Sequence, residues 1–238
     1  MTWFRRTEIL VGSDGMQALK SAHVLVIGLG GVGAYAAESI CRAGVGKMTI
    51  VDGDVVDDSN RNRQLPALIS NIGKPKTEIL RERFLDINPD LEIRIVTQFI
   101  KEDHTLQLLE SDKFDCVVDC IDTLSPKVNL IRHCYEKEIP IVSSMGAGGK
   151  FDPTQIQVAD LSKSFNCKLA RQVRKRLGRF KIRKGIPVVF SPEEVDDSLV
   201  IPEKGQNKAS VVGTISYMPP AFGCAVASVV LRKLLGKI

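Results

Sequence analysis

Between residues 24 and 64 the chain reads VLVIGLGGVGAYAAESICRAGVGKMTIVDGDVVDDSNRNRQ, and few folds can accommodate that run. Val24–Ile27 is a short apolar stretch, suited to a strand buried on both faces of a parallel sheet. It passes into Gly28-Leu29-Gly30-Gly31-Val32-Gly33, after which Ala34, Ala37, Ile40 and Cys41 recur at helical spacing. Strand, glycine turn and helix together are the context in which G-x-G-x-x-G carries meaning. Gly28 permits the turn, Gly30 admits a phosphate to the backbone, and Gly33 lets the helix lie close to the strand. The unpaired N–H groups at the helix start then face the anion. A second apolar run, Met48–Val51, ends at Asp52, where a carboxylate can accept both ribose hydroxyls. A glycine turn with no ligand is the bland alternative, and the acid at the end of the second run weighs against it.

These glycines do not distinguish ATP from NAD, but the residues that follow do. Asp52-Gly53-Asp54 leads to Ser59-Asn60-Arg61-Asn62-Arg63-Gln64 and then to Gly73-Lys74-Pro75-Lys76. An oxidoreductase needs one acid for ribose and no further cations at the cofactor phosphates, because its pyrophosphate stays intact. Here Asn60, Arg63 and Lys76 follow the acid at spacings that can return them to the phosphate end. Cleaving a triphosphate calls for such groups, since charge grows on the leaving pyrophosphate. Arginine supplies a planar fork for it and lysine a compact point charge.

The set G-x-G-G-x-G, D-x-D, S-N-x-x-R-Q and G-x-P-K resembles the adenylating superfamily of ubiquitin-activating enzymes, which includes the bacterial activators of sulfur-carrier proteins. The likeness runs from about residue 5 to residue 150. It implies that Gly28, Gly30, Gly31, Gly33, Asp52 and Asp54 bind ATP, with Asn60, Arg63 and Lys76 acting at the phosphates. Asp122, in Asp119-Cys120-Ile121-Asp122, takes the place of the magnesium-side acid. Arg5 and Arg6 lie where relatives carry an arginine that reaches the partner subunit's ATP. Arg6 fits the spacing to Thr7-Glu8-Ile9-Leu10 better, and the role implies a homodimer; solvated surface arginines are the alternative.

Two further segments narrow the likeness. Gly146-Ala147-Gly148-Gly149 followed by Asp152-Pro153-Thr154-Gln155-Ile156-Gln157-Val158-Ala159-Asp160, and Tyr217-Met218-Pro219-Pro220-Ala221-Phe222-Gly223, are similar to the tRNA threonylcarbamoyladenosine dehydratases. That resemblance implies ring closure of threonylcarbamoyladenosine in tRNA through adenylation of its threonine carboxylate, releasing AMP and pyrophosphate. ATP and magnesium are the implied cofactors, and modified tRNA the implied partner. A cysteine desulfurase or sulfur-acceptor system is another partner the superfamily allows. The alternative is an adenylating activator of a small ubiquitin-like sulfur-carrier protein, which would share every ATP residue named above.

The implied fold is α/β: a Rossmann-like doubly wound, mostly parallel sheet with helices on both faces and a few added antiparallel strands. A chain of 238 residues, 44% hydrophobic and 26% charged, is long enough for one sizeable core. Residues 1–160 read as the ATP-binding adenylation core with its N-terminal helix. Residues 161–238 read as a basic crossover segment, added strands and a C-terminal helix, part of the same domain. No signal segment or membrane-length apolar run is evident, so stable membrane insertion is not expected and the expected location is cytoplasmic. The six cysteines suit free thiols. None forms C-x-x-C, which counts against the carrier-activating branch and its four-thiolate zinc site. Cys116, Cys120 and Cys224 read as buried fillers. Cys167 lies roughly where some relatives place a thioester cysteine, in a segment expected to be mobile and electropositive; a spare thiol is the favoured reading.

The net charge of +5 is unevenly spread. Leu161 to Pro192 contains ten Lys or Arg and no acid, leaving 23 basic against 28 acidic residues elsewhere. A helix over Asn166–Arg179 would turn Leu169, Val173 and Leu177 inward. Lys168, Arg171, Arg174, Lys175, Arg176 and Arg179 are the candidate contacts to tRNA phosphates, positioning a stem without reading its sequence. Elsewhere, Ser13-Asp14 can cap a short helix reaching Lys20, and Lys74-Pro75-Lys76 opens a helix to about Ile87, with Pro75 tolerated in its first turn and Asn88-Pro89 stopping it. A helix from Ser125-Pro126 to about Lys137 should carry Lys127 and Arg132 on its solvated face. Strands are expected at 91–97, 114–119, 139–143, 154–159 (antiparallel) and 186–190. Glu193–Gly205, polar and acidic, is expected to be a mobile loop.

Overall fold

The computed structural model describes residues 2–202 and 210–238. In chain order the elements are α1 (Arg5–Ser21), β1 (His23–Ile27), α2 (Gly33–Arg42), β2 (Lys47–Val51), α3 (Lys76–Ile87), β3 (Glu92–Val96), α4 (Glu102–Glu110), β4 (Cys116–Asp119), α5 (Leu124–Glu136), β5 (Ile141–Ser144), β6 (Gln157–Asp160), α6 (Lys168–Leu177), β7 (Pro187–Phe190), β8 (Val200–Pro202), β9 (Ser210–Val212) and α7 (Met218–Leu234). Seven strands form one sheet in the order β3-β2-β1-β4-β5-β7-β6. All neighbours in it are parallel except β6 and β7. β8 and β9 pair separately as an antiparallel ribbon.

Period-two alternation explains why the strands read as unbroken apolar runs. Val24 and Val26 of β1 face one core with Ala37, Ile40, Phe84, Phe222 and Val226. Leu25 and Ile27 face the other with Leu109, Leu130, Val173 and Leu177. Helices α2, α3 and α7 therefore cover one side, and α4, α5 and α6 the other. This is the doubly wound α/β arrangement, with β6 as its added antiparallel edge. β7 and α7, from the C-terminal part of the chain, belong to the same sheet and core.

β1, β2 and β4 end in step, Ile27 lying level with both Val51 and Asp119. Gly28, Asp52 and Cys120 thus emerge together at the carboxyl edge, the place where open α/β sheets hold ligands. The C-terminal helix crosses this region closely. A Cβ on Gly223 of α7 would lie 2.6 Å from Val32 O, so only glycine lets α7 approach the start of α2.

Four expectations need correction. α1 begins at Arg5, not near residue 13, and is broken at Gly12, whose φ of 76° interrupts two helical pieces. Lys127 is not solvated; it is fully buried on α5 and donates to Asp119 Oδ2 at 2.6 Å, Ser144 O at 2.9 Å and Ser143 Oγ at 3.2 Å. The strand expected at 154–159 starts only at Gln157, because Asp152 caps a 3-10 turn over Pro153–Gln155 by accepting from Thr154 N. Within the loop expected over 193–205, Asp197–Leu199 forms a 3-10 turn and Val200–Pro202 is β8; residues 203–205 lie outside the described residues. Among the described residues no helix is long and apolar enough to cross a membrane.

Candidate functional site

The glycine loop is held rigidly from below. Asp52 Oδ2 accepts from Leu29 N at 2.6 Å and its Oδ1 from Asp54 N at 2.7 Å. Burial pushes the Asp52 carboxyl up, against the lowering pull of Lys76 and of these two N–H groups. The four glycines divide by role. At Gly28, with φ of 88°, a Cβ would meet Cys120 O at 2.7 Å, and at Gly33 it would lie 1.7 Å from Gly28 O. Gly31 is pressed against Pro219 of α7, 2.9 Å from where its Cβ would be. Over Gly30 the nearest atom is Gln64 Nε2 at 4.0 Å. Gly30 alone leaves open space, which is what a phosphate approaching the backbone requires.

Residues 57–64 fold into a compact bracket beside that space. Asp57 caps a 3-10 turn at Asp58–Asn60, and Asn60 Oδ1 accepts from Asp57 N at 3.3 Å. Arg63 donates to Ser59 O at 3.0 Å and to Asn62 Oδ1 at 2.7 Å. Burial pulls the Arg63 guanidinium below its usual range, while nearby Asp122 opposes the shift. Gln64 has a buried Oε1 without a hydrogen-bond partner among the described residues. Its amide sits over Gly30, although sequence reasoning gave this residue no role.

A cavity of about 620 Å³ gathers Gly30, Gly31, Arg63 and Asp122 with the Ser144–Gly148 loop, Lys150, Lys168 and the valines of the β8–β9 ribbon. Lys76 and Asp54 lie to one side of it. The isolated bridge Val55–Pro75 and the bond Lys76 N to Asp54 O fold the two segments together. Lys76, only 3% exposed, then donates to Asp54 Oδ2 at 3.1 Å. Asn60 serves its own turn. The structure therefore brings Gly30, Gly31, Arg63 and Asp122 to one cavity and groups Lys76 with Asp52 and Asp54. Asp119 is committed to Lys127 and Ser143, which leaves Asp122 as the acid of that segment at the cavity. Among the described residues no three His, Cys, Asp or Glu side chains gather as a metal cluster. A magnesium ion at Asp122 would take its other ligands from phosphate and water.

The basic segment divides too. Lys168 opens α6 and lines the cavity with Asp122. Arg174 turns inward, contrary to expectation, donating to Ser164 O at 2.7 Å and to Ser164 Oγ. Arg171, Lys175 and Arg179 are exposed. Lys175, Arg176 and Arg179 line a second groove of about 500 Å³ with Ser125, Asn129 and Phe180. Arg176 donates there to Ser125 Oγ at 2.7 Å. Cys167 is not exposed: it is 7% accessible, and its Sγ caps α6 by accepting from Ala170 N. Burial pushes the Cys116 and Cys120 thiols up to about 12, whereas Cys224 is exposed, not a buried filler. Arg6 is exposed on α1, on the same face as Ile9 and Leu10, which are 72% and 78% accessible.

A model of the ThiF family matches residues 4–238. The chain belongs to that family. A tRNA threonylcarbamoyladenosine dehydratase of Bacillus subtilis is 40% identical over 228 residues, covering 95% of this chain and 89% of that protein. The crystal structure of the Escherichia coli tRNA N6-threonylcarbamoyladenosine dehydratase TcdA, in complex with ATP, superposes with a TM-score of 0.89. It is 37% identical and covers 98% of this ThiF-family chain and 94% of its own. A molybdopterin-synthase adenylyltransferase of Salmonella typhimurium is 37% identical over 145 residues, 60% of this chain and 57% of that protein.

Proposed function

We propose that this chain is an ATP-dependent tRNA threonylcarbamoyladenosine dehydratase. It activates the threonine carboxylate of the modified nucleoside as an acyl adenylate and closes it into a ring with net loss of water. The observation that carries the reading is the shared cavity: an open glycine cradle with Arg63 and Asp122 at one end, and room beyond it for an acceptor. The relatives bearing the dehydratase name match nearly the whole chain, including the segments that build the far end of the cavity, whereas the carrier-activating relative matches 60% of the chain.

A carboxylate resists attack because its oxygen is a poor leaving group, and AMP transfer cures that. In the first step a carboxylate oxygen attacks the α-phosphorus of ATP and pyrophosphate departs. Arg63 faces the charge growing there, and the backbone at Gly30 receives phosphate oxygens. Asp52, positioned by its two N–H donors, takes the ribose hydroxyls. Asp122 would hold a magnesium ion, which would supply charge neutralisation for the departing pyrophosphate. In the second step a nucleophile within the same modified group attacks the acyl carbon and AMP leaves. An internal nucleophile has an effective concentration of about 10⁵ M or more, so no covalent protein intermediate is needed. Buried Cys167 fits that economy.

The tRNA stem is held by Arg171, Lys175, Arg176 and Arg179 through phosphate contacts. The exposed face of Arg6, Ile9 and Leu10 meets a second copy of the chain and delivers Arg6 to that copy's ATP. Incubating the purified protein with ATP, magnesium and tRNA bearing threonylcarbamoyladenosine tests the reading. The expected products are AMP, pyrophosphate and a nucleoside lighter by one water; an unchanged nucleoside mass would defeat it.

A further inference from the structure

The far end of the cavity contains a buried amine that the adenylation step does not use. Lys150, 2% exposed, follows the Gly146–Gly149 loop and lines the cavity. Its Nζ donates to Ser191 O at 2.9 Å and to Glu193 O at 2.7 Å. The Glu193 carboxylate is itself held, accepting from Phe151 N at 2.6 Å and Asp152 N at 2.9 Å. Two carbonyl acceptors occupy two hydrogens of the amine. In the neutral form the remaining tetrahedral position is a lone pair, available to whatever fills the cavity.

We propose that Lys150 is the proton acceptor of ring closure, acting in the second half-reaction and not the first. The inference rests on the dehydratase reading and adds a catalytic residue to it. As the internal nucleophile bonds to the threonyl carbon, the acyl C–O bond to AMP breaks and its electron pair leaves with AMP. The proton shed by the carbamoyl group passes to Lys150 Nζ, which becomes an ammonium with all three hydrogens engaged or facing the product. Burial pulls the Lys150 ammonium below the usual lysine range, against the opposing influence of Cys167 and Glu193. A base works best with a pKa near the working pH, and the shift is in that direction. The charged or titratable groups facing it are Glu193 from the segment after β7, Cys167 from the start of α6, and Lys168, Asp122 and Arg63 around the same cavity.

Lys150→Arg is the decisive variant, because arginine still offers N–H donors to the two carbonyls but stays protonated and cannot serve as a base. Lys150→Met is the second. Pyrophosphate–ATP exchange in the presence of modified tRNA reads the first half-reaction, and appearance of the dehydrated nucleoside reads the second. In both variants exchange should stay within a few-fold of wild type, while ring closure falls about 10²-fold or more. The rise of wild-type ring closure with pH should also disappear. Ring closure restored by arginine, or exchange and ring closure falling together in both variants, would overturn the assignment. Absence of exchange in the wild-type protein would instead indict the dehydratase reading itself.

Discussion

Gly30 and Gly33 stand three residues apart and answer to different demands. A Cβ at Gly33 would sit 1.7 Å from a backbone oxygen, which no side-chain adjustment relieves. Gly33→Ala should therefore lose about 4 kcal/mol or more of stability, or fail to accumulate as folded protein. Gly30→Ala meets nothing nearer than 4.0 Å. It should melt within a few degrees of wild type yet bind ATP at least about tenfold more weakly, a loss of roughly 1.4 kcal/mol. Thermal melting alongside nucleotide titration checks both, and equal ATP affinity in Gly30→Ala would contradict the phosphate cradle. Lys127 is a second residue whose role lies in the fold. Both it and Asp119 are completely buried. Lys127→Met leaves a buried carboxylate without its cation, which costs about 3–5 kcal/mol in chemical denaturation.

At the scale of elements, α2 and α3 are joined through Glu38, which takes Arg42 on its own helix and Arg83 on the next. Burial alone would raise the Glu38 carboxyl, but the bonds from Arg83 and Arg42 outweigh it and hold the group below the usual glutamate range. A depressed acid stabilises the fold above its unfolded pKa and loses that contribution as pH falls through the folded value. Glu38→Gln should thus cost about 1 kcal/mol at neutral pH. Its denaturation curve should converge on wild type in acid, and a pH-independent difference would refute the linkage. The elements themselves were largely legible. Glycine spacing, buried runs and helix stops located β1, α2, β2, α3 and β4 because those signals act within a few residues. Lys127 was misread because its partner lies on another element, eight residues away, and helical spacing says nothing of that pairing. The β8–β9 ribbon escaped because three-residue strands are too short for alternation to show. Gln64 and Lys150 were missed for a related reason: their roles come from what tertiary packing sets beside them, Gly30 in one case and Ser191 with Glu193 in the other.

For the whole molecule, the exposed Ile9 and Leu10 beside Arg6 support the proposed second copy. Leu10→Asp should shift sedimentation from dimer to monomer and abolish pyrophosphate exchange. Arg6→Ala should remain dimeric and lose exchange, as should Arg63→Ala. Mixing these two inactive dimers and allowing exchange of subunits should restore roughly a quarter of the sites, because a two-fold pair then holds one site with both arginines. No recovery on mixing would place Arg6 outside the site. The uneven charge belongs to the same scale: Lys168 of the basic segment lines the cavity, while Lys175, Arg176 and Arg179 line a separate groove, the one proposed to take RNA phosphates.

The central claim is that AMP is transferred to a carboxyl oxygen before the ring closes. The most direct measurement labels the threonine carboxylate of the tRNA-bound nucleoside with heavy oxygen and weighs the AMP released. An acyl adenylate requires that AMP depart carrying one labelled oxygen in its phosphate. Unlabelled AMP, with the label found in pyrophosphate or water, would contradict the account.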